Sequence, residues 1–143
     1  MTPIELLTAV TALLVALVAG TVAHELAHAA VLRAVSVPCE LTLLPDDEGV
    51  LAAGLNGRIA AVTPCRIPES VAPGHLRAAA LAPLALLSPF ALVQAGVLAD
   101  PFATGNVALQ LAVVGWFACA LPSPQDFSLV WHPGEALAAA RGR

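Results

Sequence analysis

The residues whose types and spacing can do chemistry are His24-Glu25-Leu26-Ala27-His28, an H-E-x-x-H pattern. Residues four apart on a helix are neighbours on one face. His24 and His28 can therefore chelate one ion through two imidazole nitrogens. Glu25 is turned by about 100° from His24, which sets it beside the ion and not on it. A carboxylate there suits a base that takes a proton from water. Zinc (Zn2+) is the expected ion, because it accepts imidazole nitrogen and brings the pKa of a bound water to about 7. A catalytic zinc takes three protein ligands and keeps one position open. The third ligand must come from elsewhere in the chain.

The element that carries the pattern is a helix predicted over residues 4–35. Pro3 suits its start, since the missing N–H would be unpaired there anyway, and Pro38 prevents it from continuing. Residues 6–23 are uncharged and nearly fill the roughly 20 residues that cross a bilayer core. His24 then lies toward the far end of that span. Ionisable side chains there cost about 2.5–3.5 kcal/mol each on insertion scales, so three within five residues need compensation. A metal ion supplies it. The start of the chain carries Glu5 and no basic run, and reads as a retained membrane helix rather than a cleaved leader.

Composition agrees with a bilayer as solvent. Hydrophobic residues make up 59 % of the 143 residues and charged ones 11 %, against about a quarter charged in soluble domains. The net charge is −4 with no basic cluster, so nucleic-acid binding has no electrostatic support. Two further spans are predicted, over 75–99 with a kink at Pro83 and Pro89, and over 106–121. Residues 37–74 read as a loop with a small sheet: alternation over 39–43, strands at 50–53 and 58–62, and a hairpin signal at Asn56-Gly57. The tail, 127–143, reads as a short interfacial helix. The whole is an α-helical integral membrane protein with about three transmembrane helices and one domain, 1–143. Cys39, Cys65 and Cys119 lack metal-binding spacing and read as reduced packing residues.

Arginine placement sets the topology. Arg33, Arg58, Arg66 and Arg77 lie between the first and second spans, and Arg141 and Arg143 follow the third. The positive-inside rule then puts the 36–75 loop and the C-terminus in the cytoplasm and the N-terminus outside. The end of the third span shares a level with His24 and His28. Asp126, just beyond it, is the leading third ligand. His75, at the start of the second span, is the alternative, and His132 lies further along the tail. Asp46, Asp47 and Glu48 read as a solvated turn.

These residues resemble the site-two protease family of intramembrane zinc metalloproteases. That family carries H-E-x-x-H on one core helix and a proline-rich motif ending in Leu-Asp-Gly on the third. Here residues 115–126 end in Leu121-Pro122-Ser123-Pro124-Gln125-Asp126. The resemblance spans about 4–127 and implies that Asp126 is the third zinc ligand. It also implies a zinc-dependent metalloendopeptidase that hydrolyses membrane-spanning or membrane-adjacent peptides. Gln125, Phe127 and Cys119 depart from the family pattern, and its second-helix Gly-Pro-x-x-Asn is represented by Ala82-Pro83 and Leu86. With no regulatory domain, this would be a minimal member. The other reading is a non-catalytic metal-binding membrane scaffold or chaperone.

Overall fold

The computed structural model describes residues 1–43 and 60–141. Helix α1 (Pro3–Ala34) opens on a capping box. Thr2 Oγ1 accepts the Glu5 N–H at 3.2 Å, and Glu5 Oε2 accepts the Thr2 N–H at 2.7 Å. Two donors that a helix start leaves unpaired are thereby satisfied. The helix ends with Ser36 in the left-handed region, φ 61°. Val37 N–H then reaches back to the Leu32 carbonyl at 2.9 Å and Ser36 N–H to the Arg33 carbonyl at 3.0 Å, the paired bonds of a Schellman end.

Strands β1 (Cys39–Leu43) and β2 (Ala60–Pro64) pair antiparallel, with Leu41 opposite Val62 and Cys39 opposite Pro64. The expected strand at 50–53, the turn at 46–49 and the Asn56-Gly57 hairpin lie outside the described residues. Of the strand predicted at 58–62, the described part begins at Ala60, and the strand runs on to Pro64.

The second predicted span differs in form. It comprises α2 (Pro73–Leu81), a 3-10 stretch (Ala82–Leu87) and α3 (Ser88–Gln94). Pro83 and Pro89 offer no N–H to the preceding turn, so the chain tightens between them instead of kinking once. The run also stops at Gln94, short of residue 99. Gly96 takes φ 72°, and the Val97 N–H bonds the Leu92 carbonyl at 2.9 Å, a left-handed end that glycine permits. After a 3-10 turn (Pro101–Thr104), α4 covers Val107–Ala118, shorter than the predicted 106–121. Its last turn relaxes into Ala120-to-Phe117 and Leu121-to-Ala118 bonds before Pro122. The tail forms two helices and not one, α5 (Pro124–Trp131) and α6 (Pro133–Arg141), divided at Pro133.

The runs Pro3–Ala34 and Pro73–Gln94 are long and apolar enough to cross a membrane, and Val107–Ala118 is apolar but shorter. Helices α1 and α4 lie side by side in the same direction, because Gly115 meets Leu13 and Ala16 while Gly20 meets Cys119 and Trp116. Both contacts depend on glycine. A Cβ on Gly20 would lie 2.8 Å from Cys119 Cβ and Sγ, and one on Gly115 would lie 2.9 Å from Leu13 Cδ1. Small residues let helices approach this closely. The main hydrophobic cluster gathers at the C-terminal end of α1, where Leu32 and Val37 pack with Val71, Leu76, Ala79 and Leu137. Arg141 clamps α6 to the connector before α2 by donating to the carbonyls of Pro68, Glu69 and Val71 at 3.2, 3.0 and 2.9 Å. The His24, His28 and Asp126 cluster is built at that end.

Candidate metal centre

His24 and His28 project from one face of α1, and their Nε2 atoms are 3.0 Å apart. Asp126 reaches the same point from α5. Its Oδ1 lies 3.2 Å from His28 Nε2 and its Oδ2 lies 3.5 Å from His24 Nε2. The three side chains are 8–12 % exposed, so little water serves them. Together they are close enough to hold a metal ion.

Asp126 is brought there by a local structure. Ser123 caps α5, with its Oγ accepting the Asp126 N–H at 3.2 Å and its own N–H donating to Asp126 Oδ2 at 2.6 Å. This capping box fixes the carboxylate at the first turn, with Oδ2 toward His24 and Oδ1 toward His28. Burial works against ionisation of Asp126. The Ser123 N–H donated to Oδ2 favours the charged form against it.

The outer nitrogens settle the tautomers. His24 Nδ1 is 2.7 Å from the Cys119 carbonyl, and His28 Nδ1 is 2.7 Å from the Ala79 carbonyl. A carbonyl only accepts, so both Nδ1 atoms carry the proton and donate. In the neutral rings, both Nε2 atoms then offer lone pairs. Two imidazole lone pairs and a carboxylate converge with no donor among them. Such a set is repulsive by itself and complete with a cation at its centre.

Glu25 sits on the next face of α1. Its Oε2 accepts the Val62 N–H at 3.0 Å, which ties β2 to the helix. Glu25 and the three clustered residues line a cavity of about 320 Å³, whose other walls include Leu32, Val62, Ile67 and Leu129. The remaining candidates go elsewhere. His75 is not part of the group; its Nδ1 accepts the Ala72 N–H at 3.1 Å at the start of α2. His132 is exposed and pairs with Glu135 at 3.2 Å. Asp46, Asp47 and Glu48 lie outside the described residues. Cys39, Cys65 and Cys119 are free thiols.

The carbonyls of Ala79 and Cys119 and the Val62 N–H, which hold the His28, His24 and Glu25 side chains, have no side-chain signature in the sequence, since every residue shares the backbone. No protein-family model, no curated protein and no solved structure matches the chain.

Proposed function

We propose that this protein is an intramembrane zinc metallopeptidase that hydrolyses peptide bonds of membrane-spanning or membrane-adjacent substrates, in the manner of the site-two proteases it resembles. One observation carries the reading: His24 Nε2, His28 Nε2 and the Asp126 carboxylate converge as three acceptors, 3.0–3.5 Å apart. A tetrahedral zinc with bonds of about 2.0–2.1 Å separates its ligand atoms by roughly 3.3 Å. Two imidazoles and one carboxylate are also a donor set suited to a catalytic zinc. A bound zinc would supply Lewis acidity, polarising the scissile carbonyl and acidifying water at the cavity.

The chain's own residues supply the rest. Glu25, on the wall of the same cavity, takes the proton from the attacking water and hands it to the leaving amine. Its tie to Val62 holds the carboxylate in place for both steps. The apolar walls from Leu32, Ile67 and Leu129 receive a hydrophobic segment and exclude bulk water. β2 lines the cavity with Val62 and Pro64, so an extended substrate lying along that strand would bring its backbone beside Glu25.

A bilayer as solvent is supported by where the apolar surface lies. Only 11 % of the most apolar window of α1 is buried inside the protein, whereas the core helix of a soluble domain is mostly covered. Leu7, Val10, Leu14, Val15 and Val18 face outward. A cleaved leader is a poor account of α1, because it carries two members of the cluster and packs along α4. Trp131 and Phe127, one turn apart and exposed on α5, suit the headgroup level at which membrane proteins place aromatics. The cytoplasmic placement of that end rests on the arginines.

A non-catalytic metal-binding scaffold is the second reading, and one observation favours it. Glu25 has a structural role of its own in accepting the Val62 N–H, so its presence alone does not require turnover. Glu25→Gln separates the two. The amide oxygen still accepts from Val62, but the base is gone. On the peptidase reading, the variant keeps zinc and loses cleavage of a susceptible membrane substrate. If wild type and variant both carry zinc and neither cleaves across a panel of membrane segments, the scaffold reading stands instead.

A further inference from the structure

We infer that Pro83 and Pro122 are positioning residues for the metal centre: each withholds a backbone N–H, leaving a carbonyl open to orient one histidine. The inference rests on the metal reading proposed above.

In a regular α-helix each carbonyl accepts from the N–H four residues on. For Ala79 that donor would belong to Pro83, which has none. The chain tightens at this point, and the Ala82 N–H turns to the Ala79 carbonyl in 3-10 fashion. The accepting capacity that a residue-83 N–H would use is taken by His28 Nδ1–H at 2.7 Å. Pro83 is fully buried beside this contact.

The same device recurs at His24 by a separate route. Helical donors for the Cys119 carbonyl would come from residues 122 and 123. Pro122 has no N–H. The Ser123 N–H is given to Asp126 Oδ2 at 2.6 Å. The Cys119 carbonyl is thus left to His24 Nδ1–H at 2.7 Å. The capping box that aims Asp126 therefore also removes a competitor from the carbonyl that aims His24. Pro89 is a natural contrast. The carbonyl three residues before it, Leu86, accepts from the Trp116 indole at 3.0 Å and serves packing between helices, not the centre.

The backbone N–H is the quantity to test, apart from ring volume. Full-length Pro83→Val in detergent restores an N–H while keeping bulk. Its ester analogue, with α-hydroxyisovaleric acid at position 83, has the same side chain and no N–H. Zinc affinity is read by competition with a chromophoric chelator, and ligand geometry by the visible spectrum of the cobalt-substituted protein. Pro83→Val is expected to weaken zinc binding about 10–100-fold, the range seen on losing such outer partners, and to alter the cobalt bands. The ester analogue is expected to recover most of both. Pro122→Val and its ester should repeat the pattern through His24, and they carry the test if the position-83 variants fail to fold. Pro89→Val should leave affinity and spectrum unchanged. Wild-type affinity in Pro83→Val and Pro122→Val, or esters as weak as the amides, overturns the inference while the metal reading stands. A wild-type protein that takes up no zinc overturns the metal reading and the inference with it.

Discussion

The Nε2 atoms of His24 and His28 stand 3.0 Å apart while each ring donates its other nitrogen to a carbonyl on a different helix segment. The pair is therefore aimed from outside. α1 supplies the spacing, and the ends of α2 and α4 supply the orientation.

Purified wild type is expected to carry a single zinc per chain. His24→Ala, His28→Ala and Asp126→Ala should each lower affinity by more than the roughly 10–100-fold attributed to outer partners, because each removes a direct ligand. Elemental analysis and chelator competition measure this. Full occupancy in Asp126→Ala would reassign the third ligand. His75→Ala should have no effect on metal, since His75 is not in the cluster and accepts from Ala72 instead.

Removing the base should separate binding from turnover. Glu25→Gln is expected to lower cleavage by about 10²–10⁴-fold, the range for a lost general base, with zinc content unchanged. Glu25→Ala should do the same and also loosen β2, because the Val62 N–H loses its acceptor. A charged hydrogen bond of that kind is worth about 1.5–3 kcal/mol when sheltered, less here because the site is only partly buried. Faster hydrogen exchange at Val62 in Glu25→Ala than in Glu25→Gln is the expected signature.

The glycine contacts between α1 and α4 should be intolerant of any side chain. At Gly20 even a methyl group would meet Cys119 at 2.8 Å. Gly20→Ala should cost about 1–3 kcal/mol by overpacking. It should also weaken zinc binding, because displacing Cys119 moves the carbonyl that holds His24. Gly74 and Gly134 have open space around the same position, so Gly74→Ala and Gly134→Ala should change neither property. Denaturant unfolding in micelles and zinc competition would show the contrast.

Topology is open to a thiol test. Cys65 is exposed and follows β2, at the end of the molecule that holds the cluster. In a Cys39→Ser/Cys119→Ser background, a membrane-impermeant maleimide should label Cys65 in inverted vesicles and not in intact cells. Labelling from outside would reverse the orientation inferred from the arginines.

Arg141 should govern how firmly α6 is docked. Its Nη2 donates to three carbonyls between Pro68 and Val71. Arg141→Ala is expected to raise proteolytic cutting after Arg66 and to speed exchange across residues 133–141.

Much of this protein is determined by sequence alone, because the relevant signals are local. Residue spacing on α1 places two imidazoles on one face. Proline and charge mark where the apolar runs begin and break, and alternation marks β1. Boundaries were less legible where backbone chemistry competes with hydropathy. Gly96 ends the second run before its apolar residues do, and Pro133 divides a tail whose composition alone suggested one helix. The tertiary structure alone decided the rest. It brought Asp126, 98 residues beyond His28 in the chain, within 3.2 Å of it, and it gave Glu25 a backbone partner on β2. It also assigned the carbonyls of Ala79 and Cys119 to the histidines. Those acceptors belong to the backbone, which every residue shares. Their only trace in the sequence is a proline a few positions on, and that trace acquires meaning once the helices are packed.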